Sequence, residues 1–191
     1  MKKIVVFCGS SLGFNPIYKQ AAIELGNYFV VNDITLVFGG GKIGMMGVLS
    51  ETILNKGGKV IGIIPELLKR EEVVNANVTE LIVTKTMSDR KVMMSQLADG
   101  YISLPGGFGT LDELFEAITL IQTHKIQKFP IILVGTDFWS GLFEWVKTTL
   151  LDSFQNISAK DIDLIHLVDT SDEVLEVLNN FYKEYDLSPN F

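Results

Sequence analysis

Short runs of β-branched and other apolar residues alternate along this chain with longer amphipathic segments. Seven runs predict strands, at residues 4–8, 35–38, 60–64, 81–84, 101–104, 131–134 and 165–168. Six segments predict helices, near residues 16–32, 45–56, 90–98, 111–125, 139–150 and 172–185. Apolar strands separated by helices form parallel sheets covered on both sides, with right-handed crossovers. We therefore expect an α/β fold: a single domain over residues 1–191 with a doubly wound, Rossmann-like parallel sheet and helices on both faces.

Glycine-rich or polar loops follow four of the predicted strands, at residues 9–11, 39–44, 87–91 and 105–110. In open parallel sheets, ligands bind outside the carboxyl ends of the strands. Because these ends share one edge of the sheet, the four loops are expected to converge on one ligand site.

The segment 104–113, LPGGFGTLDE, runs from a strand through glycines into an acid-led helix. Glycines allow positive φ and a close approach of backbone amides, and a helix N-terminus adds unpaired N–H groups and a positive dipole end. The simpler interpretation is a capping box, with Thr110 as N-cap and Glu113 three residues later. That alternative does not require Gly106, Gly107 and Gly109 together, so the segment predicts a phosphate site with the Glu113 carboxylate facing the cleft.

The glycines of residues 39–47 do not form a familiar nucleotide motif. They follow the second predicted strand rather than the first, and no well-placed acid lies about 20 residues later, so dinucleotide binding is disfavoured. Lys42 follows the glycines without the spacing of a Walker loop. Two interpretations stay open for this loop: tight packing of strand against helix, or a lining for a ligand.

Arg90 and Lys91 form the densest local positive charge near the predicted cleft of an acidic chain. An arginine at the start of a helix opposes the helix dipole, so it needs a carboxylate or a ligand as partner. We predict that Arg90 pairs with Glu113.

The net charge of −7 disfavours binding to nucleic acid, which needs a clustered basic face. The apolar run at residues 4–8 is far too short to span a membrane. Cys8 is the only cysteine, which excludes an internal disulfide and a thiolate cluster and favours a reducing compartment, the cytoplasm. His124 and His166 have no partners at metal-ligand spacing, so no metal and no cofactor are expected.

Residues 105–113 resemble the PGGxGTxxE signature of the Lonely Guy family. Further segments occur in the same order as in that family, at residues 9–11, 39–41, 44–47, 62–65, 90–91 and 122. The resemblance covers about residues 4 to 135. It implies a phosphoribohydrolase that splits cytokinin riboside 5′-monophosphates into free base and ribose 5-phosphate. It also implies a homodimer.

Carried over by position, the resemblance gives catalytic roles to Arg90 and Glu113. It assigns substrate binding to a further set of residues: Ser10, Gly41, Glu72, Lys91, Gly107, Phe108, Gly109, Thr110, Asp112 and Thr119. The family commonly has His at position 88 and Trp at position 120, where this chain has Ser88 and Leu120. These departures bear on the base pocket and leave open whether the preferred substrate carries a prenylated adenine, is plain AMP or is another nucleotide.

Two other functions compete with this prediction. A non-catalytic carrier on the same fold, of the molybdenum-cofactor type, would use the same glycine loop to hold a phosphate. Lysine decarboxylase, a label sometimes given to relatives, is disfavoured because nothing marks a Schiff-base lysine with a partner for a pyridinium nitrogen.

Overall fold

The computed structural model describes residues 2–69 and 73–185, and its centre is one parallel sheet of seven strands. The strands are β1 (Lys3–Phe7), β2 (Thr35–Phe38), β3 (Val60–Pro65), β4 (Glu80–Thr84), β5 (Tyr101–Ser103), β6 (Ile131–Val134) and β7 (Ile165–Val168). Their order across the sheet is β4-β3-β2-β1-β5-β6-β7. All seven predicted strands are confirmed, with ends that differ by no more than one residue.

Helices cover both faces of the sheet, as the alternating pattern predicts. They are α1 (Pro16–Val31), α2 (Gly44–Leu54), α3 (Met87–Leu97), α4 (Phe108–Gln122), α5 (Thr136–Trp145), α6 (Ala159–Ile162) and α7 (Ser171–Tyr185). Buried residues of α1, α2 and α7 pack on one face, and those of α3, α4 and α5 on the other. Within β1, Ile4 and Val6 enter the first core and Val5 and Phe7 the second, as the two-residue period of a strand requires. The fold is therefore doubly wound.

Three helices on one face begin three residues earlier than the apolar periodicity predicts: α3 at Met87, α4 at Phe108 and α5 at Thr136. At α3 the reason is a capping box, in which the Thr86 hydroxyl accepts from the Asp89 amide and the Asp89 carboxylate accepts from the Thr86 amide. The apolar periodicity indicates the first buried residue of a helix, whereas the helix begins earlier, at its N-cap.

The N-terminus of α4 corrects one sequence interpretation. Gly107 is the N-cap, so Thr110 lies inside the first turn, where it is only 4% exposed. The capping box proposed for Thr110 and Glu113 is therefore wrong. Glu113 lies in the second turn of the helix, where its carboxylate is free for another partner.

The strand order reverses at β1. β2, β3 and β4 lie on one side of it, and β5, β6 and β7 on the other, so the topological switch point lies between β1 and β5. The loops after these strands are joined there, since the Gly9 amide donates to the Pro105 carbonyl at 3.2 Å. The loop after β2 joins them through Met45, whose amide donates to the Gly9 carbonyl at 3.1 Å.

The chain after α5 departs most from the prediction. A helix was expected to continue to residue 150, but α5 ends at Trp145 and a π-helical segment, Val146–Ser153, follows. A short 3-10 turn at Glu66–Leu68 and helix α6 were not predicted either. Across residues 2–69 and 73–185, no helix has the combination of length and apolar character that crossing a membrane needs.

Candidate functional site

Arg90 of α3 and Glu113 of α4 form an ion pair beside the switch point. The Arg90 Nη2 atom lies 2.7 Å from Glu113 Oε1, and the two side chains are only 10% and 11% exposed. The structure therefore brings the two residues together in a pair that is almost fully enclosed.

The arginine is held in place from the sheet below it. Its Nε donates to the Ile63 carbonyl of β3 at 3.1 Å, and its Nη1 lies 3.9 Å from the Met87 sulfur. A Cβ atom at position 39 would collide with Nη2, so the absence of a side chain at Gly39 makes room for the guanidinium. Position 39, in the loop after β2, is therefore glycine because the Arg90 side chain passes directly over it.

Burial and charge pairing act in opposite directions on the pKa of the Glu113 carboxyl. Burial raises the pKa of its carboxyl above the usual range, and the neighbouring Asp112 adds to the rise. Arg90 and Lys91 act in the other direction but do not cancel the effect of burial on the pKa. A carboxylate in such a setting can hold or accept a proton closer to neutral pH than an exposed glutamate can.

Lys91 lies next to this pair and bridges two other carboxylates of α4. Its Nζ is 3.1 Å from Asp112 Oδ2 and 3.4 Å from Oδ1, and it forms an ion pair with Glu116. Pairing with Glu116 raises the pKa of the Lys91 ammonium and is the largest single effect on it. Asp112 and Glu116 can share one cation because residues four apart lie on the same helix face.

The glycines of the loop before α4 have different roles. None of Gly106, Gly107 and Gly109 has a positive φ, so this loop does not use the positive φ that glycine allows. A Cβ at position 106 would collide with the Thr110 side chain, whereas at positions 107 and 109 it would meet nothing within 4 Å. Gly106 is thus required by packing, and Gly107 and Gly109 leave open space at the N-terminus of α4.

The remaining predicted binding residues are spread around this centre. Phe108 is 91% exposed at the start of α4. Ser10 is exposed on the loop after β1, and its backbone packs against Gly44, whose φ of 63° and close approach exclude a side chain. Gly41 is buried and forms an isolated bridge with Val74.

Of the last two predicted binding residues, only Thr119 lies in the described part of the chain. Thr119 is exposed two turns beyond Asp112 on α4, and its hydroxyl donates to the Phe115 carbonyl at 2.7 Å. Glu72 lies outside the described residues. Their contact with a substrate stays a prediction.

Sequence reasoning missed Glu116 and the contact between Gly39 and Arg90. Glu116 carried a readable signal, because it stands four residues after Asp112 on a helix whose neighbour carries Lys91. The Gly39 contact had none, since it joins segments 51 positions apart through space. No three His, Cys, Asp or Glu side chains within residues 2–69 and 73–185 are grouped as a metal site requires.

The fold and the site together define a class: doubly wound α/β proteins with a glycine turn at a helix N-terminus and a buried arginine–glutamate pair at the switch point. Solved structures share this fold at low sequence identity. The molybdenum cofactor binding protein from Rippkaea orientalis has a TM-score of 0.71 at 22% identity, over 95% of this chain and 98% of that one. The molybdenum cofactor carrier protein from Chlamydomonas reinhardtii has a TM-score of 0.73 at 20% identity, over 95% and 98%.

Sequence comparisons give the family. A profile described as "Possible lysine decarboxylase" matches residues 46–178. A cytokinin riboside 5′-monophosphate phosphoribohydrolase of Arabidopsis thaliana is 37% identical over 97% of this chain and 84% of its own length. Another from the same plant is 41% identical over 84% of this chain and 76% of its own, and a probable one of Oryza sativa is 38% identical over 97% and 73%. The chain belongs to the Lonely Guy family.

Proposed function

We propose that this protein hydrolyses the N-glycosidic bond of nucleoside 5′-monophosphates such as AMP or isopentenyl-AMP, releasing the free base and ribose 5-phosphate. The observation that carries the proposal is the Arg90–Glu113 pair, whose atoms lie 2.7 Å apart beside the open N-terminus of α4. The relatives named as phosphoribohydrolases support it.

The 5′-phosphate is the group that the N-terminus of α4 suits. The first-turn amides have no partner within the helix, and the dipole favours an anion there. The missing side chains of Gly107 and Gly109 leave space for phosphate oxygens. Glu113 lies five residues past the first residue of α4, which corresponds to about 7.5 Å along the helix axis. A phosphate held at the N-terminus would therefore place the ribose near the carboxylate.

The chemistry needs a group that stabilises positive charge on the sugar. As the bond between C1′ and the base nitrogen breaks, oxocarbenium charge develops on the ribose, and a nearby carboxylate lowers its energy. Glu113 fills this role and takes a proton from the attacking water, whose oxygen bonds to C1′ as the bond between C1′ and the base nitrogen breaks. Glu113 then gives up that proton and the departing base gains one, so the carboxylate is regenerated and one water is consumed per bond cleaved.

Arg90 fixes Glu113 rather than acting as a free cation. With Nε on the Ile63 carbonyl and Nη2 on Glu113, the guanidinium holds the carboxylate in one orientation. It also opposes the effect of burial on the pKa of that carboxyl, which keeps more of the carboxylate ionised at neutral pH. We assign Lys91 and Asp112, which lie next to this pair, to contacts with the polar groups of the substrate.

The test is to incubate wild type and Glu113→Gln with AMP, isopentenyl-AMP and adenosine and to separate the products by chromatography. Wild type is expected to release base from the two nucleotides, with adenosine much poorer because it lacks the phosphate. Glu113→Gln should lower kcat by about 10²- to 10⁴-fold. Glu176→Gln, an exposed position on α7, is the matched control and should leave the rate unchanged.

Two results would contradict the proposal. Full activity of Glu113→Gln would remove the carboxylate from the mechanism. Tight retention of a phosphate-bearing ligand with no base released from any nucleotide would favour a carrier, the function that competes on this fold.

We also propose that the protein acts as a homodimer in the cytoplasm. Large apolar side chains lie exposed on α3 and α4 next to the site, namely Val92, Phe108 and Phe115, and such surface often marks an interface. The lone buried thiol of Cys8 suits a reducing compartment. Light scattering after size exclusion should give twice the chain mass, and a monomer at assay concentration would refute the dimer.

A further inference from the structure

Lys91 is held between two carboxylates that lie on one face of α4. Asp112, on the solvent side, is 61% exposed, whereas the Lys91 and Glu116 side chains are more enclosed. An exposed partner alone holds a lysine loosely, because surface pairs gain little and lysine has many rotamers. Glu116 is therefore the contact that restricts the ammonium group.

The Lys91 bridge and the Arg90–Glu113 pair form one network. Arg90 and Lys91 are consecutive on α3, and Asp112 and Glu113 are consecutive on α4. The two cations of α3 thus face three carboxylates of α4 across one helix interface. A shift of Lys91 changes the charge next to both Asp112 and Glu113.

We propose that Glu116 is a positioning residue of the site: it fixes the Lys91 ammonium beside Asp112 and next to the Arg90–Glu113 pair. The effect on catalysis rests on the proposed function, whereas the effect on the Glu113 carboxyl does not. Glu116 itself touches no reacting atom and acts through Lys91.

The groups that face Glu113 can be named from each packed element. Arg90 and Lys91 come from α3, and Asp112 comes from α4 itself. The Cys8 thiol, directly after β1, is buried and neutral, because burial and the Glu113 charge both raise its pKa. Of these groups, Lys91 is the one that Glu116 holds directly.

Removing the Glu116 charge has two effects of opposite sign on the Glu113 carboxyl. Release of Lys91 toward solvent takes away a cation that lowers the Glu113 pKa, so the pKa rises. Direct loss of a nearby negative charge lowers it instead. The two effects separate in a double-mutant cycle with Lys91→Met, because only the first needs the ammonium.

The experiment is a pH titration of side-chain ¹³C-glutamate signals by NMR in wild type, Glu116→Gln, Lys91→Met and the double variant, with Glu113→Gln for assignment. We expect Glu116→Gln to move the Glu113 midpoint upward by about 0.5 pH unit more with Lys91 present than with Lys91→Met. With Lys91→Met present, Glu116→Gln should give no rise or a fall. Glu176→Gln is the control of equal charge change.

Kinetics supply the second readout. On the acid limb of the pH profile, Glu116→Gln should lower kcat/KM for AMP by up to about threefold, with recovery at higher pH and no such change in the Lys91→Met background. A shift of the Glu113 midpoint by Glu116→Gln that is the same with Lys91 and with Lys91→Met overturns the inference. Absence of hydrolysis by wild type would instead refute the proposed function, and the NMR cycle would still decide the role of Glu116.

Discussion

Replacing Arg90 with methionine should destabilise the protein more at neutral pH than at acidic pH. Methionine keeps the apolar bulk of the arginine stem and removes the guanidinium, which pairs with Glu113 at 2.7 Å and donates to the Ile63 carbonyl at 3.1 Å. Glu113 would then be a buried carboxylate without its closest cation. Breaking a buried ion pair in this way costs about 3–5 kcal/mol if the remaining charge stays.

Protonation of Glu113 limits that cost. A buried glutamate without a cation can become neutral, and protonating a glutamate of ordinary pKa, about 4.3, costs about 1.36 kcal/mol for each pH unit above that pKa. The cost of leaving Glu113 unpaired therefore cannot exceed about 3.7 kcal/mol at pH 7 and about 1 kcal/mol at pH 5. The lost bond to the Ile63 carbonyl adds about 1–3 kcal/mol at either pH. The stability difference between wild type and Arg90→Met should therefore shrink by up to about 2.7 kcal/mol from pH 7 to pH 5.

The sign follows from the direction of the pKa shift. In Arg90→Met, burial raises the folded-state pKa of Glu113 further above its unfolded value, because the cation that opposes burial is gone. The contribution of Glu113 to the stability of this variant is therefore fully present below the unfolded pKa and is lost as the pH rises through the folded pKa. Urea unfolding of both proteins at pH 5 and pH 7 measures the difference, and Glu113→Gln added to both should abolish its pH dependence. A stability loss equal at both pH values, or larger at pH 5, would refute the reasoning.

Three further outcomes follow from the site. Gly39→Ala should lower kcat/KM by more than tenfold, because the added Cβ collides with the Arg90 guanidinium. Gly141→Ala is the control, since its Cβ would meet nothing within 4 Å, and equal activities of the two variants would contradict the prediction. Gly106→Ala should lower the midpoint of urea unfolding, because its Cβ collides with Thr110. Gly109→Ala should keep that midpoint and raise the KM for AMP, because its Cβ enters the open space at the N-terminus of α4. The reverse pattern would contradict a packing role for Gly106 and a phosphate-binding role for Gly109. The acid limb of kcat/KM between pH 4 and 9 should have its midpoint above about 4.3, since burial raises the pKa of Glu113.

The strands were predictable because parallel strands buried on both faces are continuous apolar runs bounded by polar residues. The helix starts were less so. For α3 the Thr86–Asp89 box was readable, but α4 and α5 begin after glycines without a side-chain cap, and the sequence marks those starts weakly. The π-helical turn after Trp145 breaks no rule of composition, so periodicity alone continued the helix through it.

The pairing of Arg90 with Glu113 was predicted from charge, since an arginine near a helix start in an acidic chain needs a carboxylate. What the sequence did not reveal was how the pair is held. The contact of the guanidinium with Gly39 and its bond to Ile63 join three segments that are adjacent only after the sheet forms. Local patterns carry no information about such distances.

The strand order explains why this pair exists. α3 connects β4, at one edge of the sheet, to β5, which lies beyond β1, so the helix must cross over β3, β2 and β1. This long crossover carries Arg90 over the carboxyl ends of β3 and β2, where it meets the Ile63 carbonyl and Gly39. α4 then leaves β5 on the same face, and its second turn brings Glu113 against α3. In a sheet whose strands followed one another in order, α3 would stay between neighbouring strands, and Arg90 would not reach the switch point where the N-terminus of α4 opens.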